Sequence, residues 1–366
     1  MRNASRPTGS PTADTFRTNN FDLLRILAAL QVVLVHAVDH LRIPRPPLWS
    51  LVQAFPGVPI FFAISGFLIS ASFERSPRLK SYARNRILRI YPGLWCVVLV
   101  TVVVASLFGF DFRSLRALFW LICQLVGLIF TPQFLKNFGF GSYNGALWTI
   151  PIELQFYFLL PFFYLGGEKA SAHRTTIFRI AWLTFVVAAF LYAMNSAPLA
   201  ENTIEPLPHK LFRYSFIPHI YLFLTGVILQ RGHAQSSPWI AGKGVYWLAA
   251  YVLVHVTMPG SAQNYVLGTL LLSLMTVSTA YTLPQLSRTL LRGNDISYGV
   301  YIYHGLVLNI LVELGMGRDL RYLPLVVALS LVAGFLSWRL VERPFLSRKR
   351  QTMHAVTTGA HAVGAT

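Results

Sequence analysis

Charge is scarce in this chain. Only 12% of its 366 residues are Asp, Glu, Lys or Arg, about half the ~25% of a soluble protein, too few to clothe an ordinary water-facing surface. Acids are the rarer sign, with 13 Asp+Glu against 31 Lys+Arg. Cysteine is almost missing: Cys96 and Cys123 both lie inside apolar stretches, which leaves neither a disulfide framework nor a CxxC metal site. No cleavable leader is expected either. Residues 1–20 are polar, and the apolar run that follows carries Arg25 and His36 and has no small-residue cleavage site, so it reads as an uncleaved first span. The net charge of +18 would suit nucleic acid if it were gathered in one patch. The basic residues instead separate apolar runs, and no nucleic-acid partner is expected. What is abundant is the AVILMFWYC set, at 54%, the composition of a membrane protein.

Stretches of about 17–25 mostly apolar residues fall near 21–41, 51–72, 87–109, 117–131, 147–166, 177–194, 211–230, 244–257, 265–283, 296–313 and 323–341, with 117–131 and 244–257 short. The bias of Lys and Arg toward the cytoplasmic side decides which of them cross. If 117–131 crossed, the basic 167–180 loop and every later basic loop would face outward. With 117–131 re-entrant or interfacial, 21 basic residues lie inside and nine outside, with Arg25 in the first span. The expected fold is therefore all-α: a polytopic helical bundle of about ten transmembrane helices plus one re-entrant or interfacial segment. Residues 1–20 and 346–366 are read as disordered cytoplasmic ends, and 21–345 as one membrane domain. No internal repeat stands out, and the sequence is silent on oligomeric state.

Ionisable groups inside spans are costly and are functional candidates by default. Arg25 and His36 are eleven residues apart, which puts them within about 20° of one helix face and about 16 Å apart along it. The alternative is an arginine that snorkels to the headgroups and a histidine satisfied by packing. Arg86 and Arg89, in RNRILRIYP, are spaced i and i+3 and can offer two planar forks to a phosphate, although basic residues at a span's inner end also serve as plain topology signals. Glu153 lies in NGALWTIPIELQFYFLLP among Trp148, Pro151, Phe156 and Tyr157. Its depth below the outer face matches that of His36, roughly 8–10 Å, so the two are expected to be able to meet, the carboxylate orienting the imidazole as a general base. Asp22 is a second acid available to balance His36 or to pair with Arg25. His304, in SYGVYIYHG, is a further candidate, with packing or hydrogen bonding as its simpler role, as for His219 and His255.

These elements together resemble the acyltransferase 3 family of integral-membrane acyltransferases, over about residues 20–345. FDLLRILAALQVVLVHA resembles the family's first helix, with Arg25 and His36 at its Arg and His. FFAISGFLIS, with Ser65 and Gly66, is similar to its aromatic-Ser-Gly-Phe stretch. Arg86 to Arg89 followed by Tyr91-Pro92 resembles its Arg-x-x-Arg segment, Trp148, Glu153 and Tyr157 its Trp and Glu helix, and ISYGVYIYHG, with His304, its Ser-x-x-x-Tyr-x-x-His element. The resemblance implies O-acyl transfer from acyl-CoA, acetyl-CoA first among donors, to a hydroxyl of a cell-surface glycan, lipid-linked sugar or small molecule. It implies no metal, a bacterial inner (plasma) membrane location with lipid as surroundings, and both termini cytoplasmic. Some members carry an added soluble esterase-like domain; none is expected here. On this reading Arg86 and Arg89, with Ser65, hold the donor, Arg25 steers it, and His36 is the base with Glu153 or Asp22 behind it. The alternative is a multi-span transporter of a lipid, glycan precursor or acyl group without covalent chemistry.

Overall fold

The computed structural model describes residues 18–75, 77–164, 182, 183, 187, 207–258 and 262–347. The run at 177–194 falls almost wholly outside them, as do the basic 167–180 loop and most of both polar ends. All regular structure in the described residues is helical. In chain order the helices are α1 (Phe21–His40), α2 (Trp49–Ala54), α3 (Gly57–Arg75), α4 (Leu79–Leu107), α5 (Leu115–Leu125), α6 (Thr149–Leu159), α7 (Leu207–Arg213), α8 (Ile220–Arg231), α9 (Gly244–Thr257), α10 (Ala262–Ala280), α11 (Leu286–Leu291), α12 (Ser297–Glu313) and α13 (Tyr322–Ser337). Five continuous segments are long and apolar enough to cross a membrane: Phe21–His40, Trp49–Arg75, Leu79–Leu107, Gly145–Tyr164 and Tyr322–Ser347. Four shorter apolar helices accompany them, so the described residues hold five full-length spans against an expectation of about ten crossings. The run at 211–230 is the plainest difference: it is split into α7 and α8 by a turn at Tyr214–His219, where the Ser215 hydroxyl and the Gln155 amide oxygen capture backbone N–H groups that a continuous helix would use itself.

Two helices explain where the polar groups end up. α4 has 29 residues, about 44 Å of helix against a hydrocarbon core of ~30 Å, so its first turns can carry Arg84, Arg86 and Arg89 beyond the apolar layer. α5 has only 11 residues, about 16 Å, and the chain then doubles back at Gly127, whose φ of +91° suits a residue without a Cβ. The turn is sealed by Trp95 and Tyr91, which donate to the carbonyls of Leu125 and Val126 at 2.8 and 3.1 Å.

The tightest helix crossing is α3 on α8. A Cβ at Gly66 would overlap the carbonyl oxygen of Phe223, and one at Gly226 the carbonyl oxygen of Ala63. Each glycine is the gap that the other helix's backbone fills, the small-residue packing that holds helices together where no hydrophobic effect operates between them. Gly66→Val is expected to destabilise the protein by about 1–3 kcal/mol through overpacking, read as a lowered thermal midpoint in detergent. Gly66→Ser should do less harm, and an unchanged midpoint for the valine variant would mean the helices can part at no cost.

The start of α1 is pinned at the far end of the bundle. Buried Asn20 donates through its side-chain amide to the carbonyls of Thr282 and Leu283 at 2.9 and 3.0 Å, and accepts from the Ser287 N–H at 2.8 Å. A buried amide so satisfied fixes Arg25, one turn on, beside α11 and the loop that leads to α12.

Candidate active site

A cavity of about 340 Å³ opens among α1, α3, α4, α6 and α12, its wall including Arg25, Arg75, Arg86, Arg89, Glu153 and Tyr301. Four guanidinium groups around one small space demand counter-charge, and the structure supplies it from Asp22 and from two acids that the sequence did not single out. Asp295, in the loop before α12, takes Arg89 at 2.6 Å and Arg25 at 3.3 Å. Burial alone would raise this carboxyl; Arg89 and then Arg25 outweigh it, and the group is held well below the ordinary carboxylate range. Ser297 donates to the same carboxylate at 2.5 Å. Glu342, buried in the π-helical turn that ends α13, stands 4.0 Å from Arg89. Asp22 reaches Arg25 at 3.5 Å, the i, i+3 pair expected of them.

Arg86 and Arg89 share this cavity but are held differently. Arg89 is engaged by two acids. Arg86 lies over the rings of Tyr157 and Tyr82, 5.5 and 5.9 Å from their centres, in cation–π contact. It reaches Ser72 at 3.4 Å, and its buried Nε–H has no hydrogen-bond acceptor. A guanidinium held by aromatic faces, with a donor unspent, is ready for an incoming anion.

Glu153 also belongs to this cavity. It accepts from the Tyr157 hydroxyl and from Ser65 at 3.4 Å, so Ser65 joins Glu153 and Tyr157, which belong to a different sequence motif, in one cluster beside Arg86. Trp148 does not join it; its ring lies against Tyr214 and His219.

The expected meeting of His36 with Glu153 is not what the structure shows. The partner of His36 is His304: His36 Nδ1 and His304 Nε2 are 3.0 Å apart. Depth in the membrane placed two side chains at one level but could not tell which helix faces α1, and it is α12. Asp22 is also remote from His36, fourteen residues and about 21 Å away along α1. The geometry fixes the tautomers. His304 is fully buried, and its Nδ1 lies 2.6 Å from the carbonyl oxygen of Tyr301, which can only accept, so Nδ1 carries the proton. With both rings neutral, His304 Nε2 is then the acceptor, His36 Nδ1 donates to it, and the lone pair of His36 is left on Nε2, the arrangement of a general base held by a second group. His219 and His255 take packing roles: His219 meets the Arg213 carbonyl at 3.2 Å, and His255 lies beside Tyr251.

Each imidazole of the pair has a neighbour that lines a different cavity. Tyr301, on the arginine cavity's wall, contacts the His304 ring at 5.8 Å and is steadied by Thr149 at 3.0 Å. His40, one turn past His36 at a ring distance of 5.3 Å, lines a second, open cleft of about 850 Å³.

An apolar helical bundle that encloses a basic cavity and pairs a buried imidazole with a half-buried one has the makings of a membrane-embedded transferase, and comparison with known proteins supplies the reaction class. The chain belongs to the acyltransferase 3 family, whose acyltransferase domain matches residues 18–340; it is a membrane acyltransferase. It is 30% identical over 358 residues to Nodulation protein 10 of Rhizobium leguminosarum bv. viciae, covering 89% of this chain and 92% of that one. It is 28% identical to the O-acetyl transferase of Shigella phage Sf6, covering 91% of this chain and 97% of the other. It is 23% identical to the peptidoglycan O-acetyltransferase OatA of Listeria monocytogenes, over 89% of this chain but 55% of that protein. No solved structure matches the chain.

Proposed function

We propose that this protein is an O-acyltransferase of the bacterial inner membrane, crossing it about ten times with both termini in the cytoplasm. It moves an acyl group, acetyl in the first instance, from cytosolic acyl-CoA to a hydroxyl of a cell-envelope glycan or lipid-linked sugar. The observation that carries this reading is the arrangement along α1 and α12: a basic cavity at one level, the His36–His304 pair at the next, and an open cleft beyond. The donor's phosphates stay at the arginines and its thioester reaches past Tyr301 toward His36. His36 Nε2 takes the acceptor's hydroxyl proton as that oxygen bonds to the thioester carbonyl carbon. The C–S bond then breaks, and the proton passes from His36 to the departing thiolate. His304 holds the tautomer, and Glu153 acts on the donor side by fixing Ser65 and Tyr157.

The test is to supply membranes containing the protein with acetyl-CoA labelled in its acetyl group. Label recovered as an alkali-labile ester in glycan or lipid-linked sugar supports transfer; donor carried across or left intact, with no labelled ester, overturns it in favour of transport. Arg86 gives a sharper check. Arg86→Ala should raise KM for acetyl-CoA about 10- to 100-fold, the worth of one charge-assisted hydrogen bond of about 1.5–3 kcal/mol, while KM for the acceptor stays put. An unchanged donor KM would make Arg86 a topology signal only.

A further inference from the structure

The open cleft beyond His40 is built by three separate loops sewn together. The first leaves α1 through Arg42, whose φ is 51°. The second, between α12 and α13, presses Gly317 against the Leu41 carbonyl, leaving no room for a Cβ, and turns at Arg318, φ 61°, whose N–H donates to that carbonyl at 2.8 Å. The third runs through Lys136 to Gly141. Its Gly139 N–H meets Glu313 at 2.7 Å, its Phe140 N–H meets the Asn309 side chain at 3.1 Å, and the Phe140 ring stacks on His40 at 3.8 Å with the planes 8° apart. Left-handed backbone at two arginines is unfavourable and persists only where surroundings enforce it.

The cleft wall carries Arg42, Lys136 and Arg318 against a single acid, Asp39. All three cations are exposed, and among the described residues none forms an ion pair. The arginine cavity differs on this point, since its Arg25 and Arg89 are paired with Asp22, Asp295 and Glu342. A cleft of this size is in the range of ligand sites. It combines a flat stacked ring pair, hydrogen-bonding backbone and uncompensated positive charge, and it leads through His40 to His36.

We propose that this cleft is the acceptor subsite, and that it selects a saccharide bearing phosphate or carboxylate groups close to the hydroxyl that is acylated. The proposal rests on the function given above and names its substrate class. The three cations hold the anionic groups, and the His40–Phe140 face supports a sugar ring.

The full chain in nanodiscs of phosphatidylcholine alone, without acyl donor, is titrated with three fluorescent probes: an oligogalacturonate, a phosphorylated oligomannose and neutral chitotetraose. The two anionic probes should bind at least tenfold more tightly than chitotetraose, with affinity falling as salt rises. The combined variant Arg42→Asn, Lys136→Gln, Arg318→Asn, with asparagine chosen because it tolerates left-handed backbone, should lose at least tenfold in anionic binding while its thermal midpoint and acetyl-CoA affinity stay at wild-type values. Should that variant fail to fold, Lys136→Gln alone, on ordinary backbone, should still lose about threefold. Equal binding of neutral and anionic probes overturns the proposal, and so does unchanged affinity in the variants. Full displacement of the anionic probes by phosphatidylglycerol in the disc also overturns it, by making the cleft a lipid headgroup site. Carboxylate binding without phosphate binding, or the reverse, identifies which anion the site prefers. No donor is used, so loss of the transfer reaction and loss of this selectivity are read separately.

Discussion

His36→Ala is expected to lower acyl transfer by about a hundred- to ten-thousandfold, the span of a positioned general base, with the protein still inserted at wild-type levels. No other described side chain is placed as His36 is, with one ring nitrogen engaged by a buried partner and the other left as a lone pair. The measurement is single-turnover transfer of labelled acetyl to acceptor in purified membranes, normalised to protein. Activity within a few-fold of wild type would remove His36 from the chemistry. Two changes at His304 separate orientation from mere packing. His304→Gln keeps an oxygen able to accept from His36 Nδ1, whereas His304→Ala leaves that N–H, and the Tyr301 carbonyl, without the buried partners they have now. The glutamine variant should therefore retain more activity than the alanine variant, and both should exceed His36→Ala. Equal losses in the two variants would mean that filling space, not holding a tautomer, is the task of His304.

Asp295→Asn is expected to be the most damaging single change outside the imidazole pair. It removes the charge shared by Arg25 and Arg89 while keeping the size of the side chain, leaving them only the longer contacts to Asp22 and Glu342, and breaking a buried ion pair costs about 3–5 kcal/mol. The prediction is a large fall in thermal midpoint in mild detergent and a weakened donor KM, because the arginine cavity loses its shape. The sign of the pH response follows from the depressed ionisation of Asp295. Its stabilisation is fully present above the ordinary aspartate range and is lost only as pH falls through the lower folded value. Acidification from pH 7 to pH 5 should therefore leave this contribution intact in the wild type. A midpoint for Asp295→Asn equal to that of the wild type would show that Arg25 and Arg89 do not depend on it.

Much of the fold could be read from hydrophobic runs. The run at 244–257 coincides with α9, and those at 21–41 and 296–313 lie within a residue or so of α1 and α12. Hydropathy reports what is apolar, and a run interrupted by one turn, as at Tyr214–His219, still averages as apolar. The arginines and histidines were legible for a different reason: a charge or imidazole inside an apolar run is conspicuous. Their partners were not. Asp295 sits in a connection where an acid draws no notice, and Glu342 follows a run whose end reads as a basic flank. The available signal was scarcity: with 13 acids facing 31 basic residues, buried arginines must draw their counter-ions from a short roster. The choice of His304 over Glu153 as the partner of His36 could not be read at all, because membrane depth is a property of one helix, while a hydrogen bond depends on which two helices lie side by side.

α1 and α12 are joined at two heights, by Arg25 with Asp295 and by His36 with His304, and both helices run in the same direction between those points. Two fastenings on a pair of rods forbid sliding: a shift of one turn, about 5.4 Å, would undo both at once. The spacing of the proton-accepting imidazole from its neighbour is therefore governed in part by a carboxylate in the loop that leads into α12. A bound CoA phosphate that drew Arg25 away from that carboxylate would loosen one fastening and leave the imidazoles as the remaining pivot.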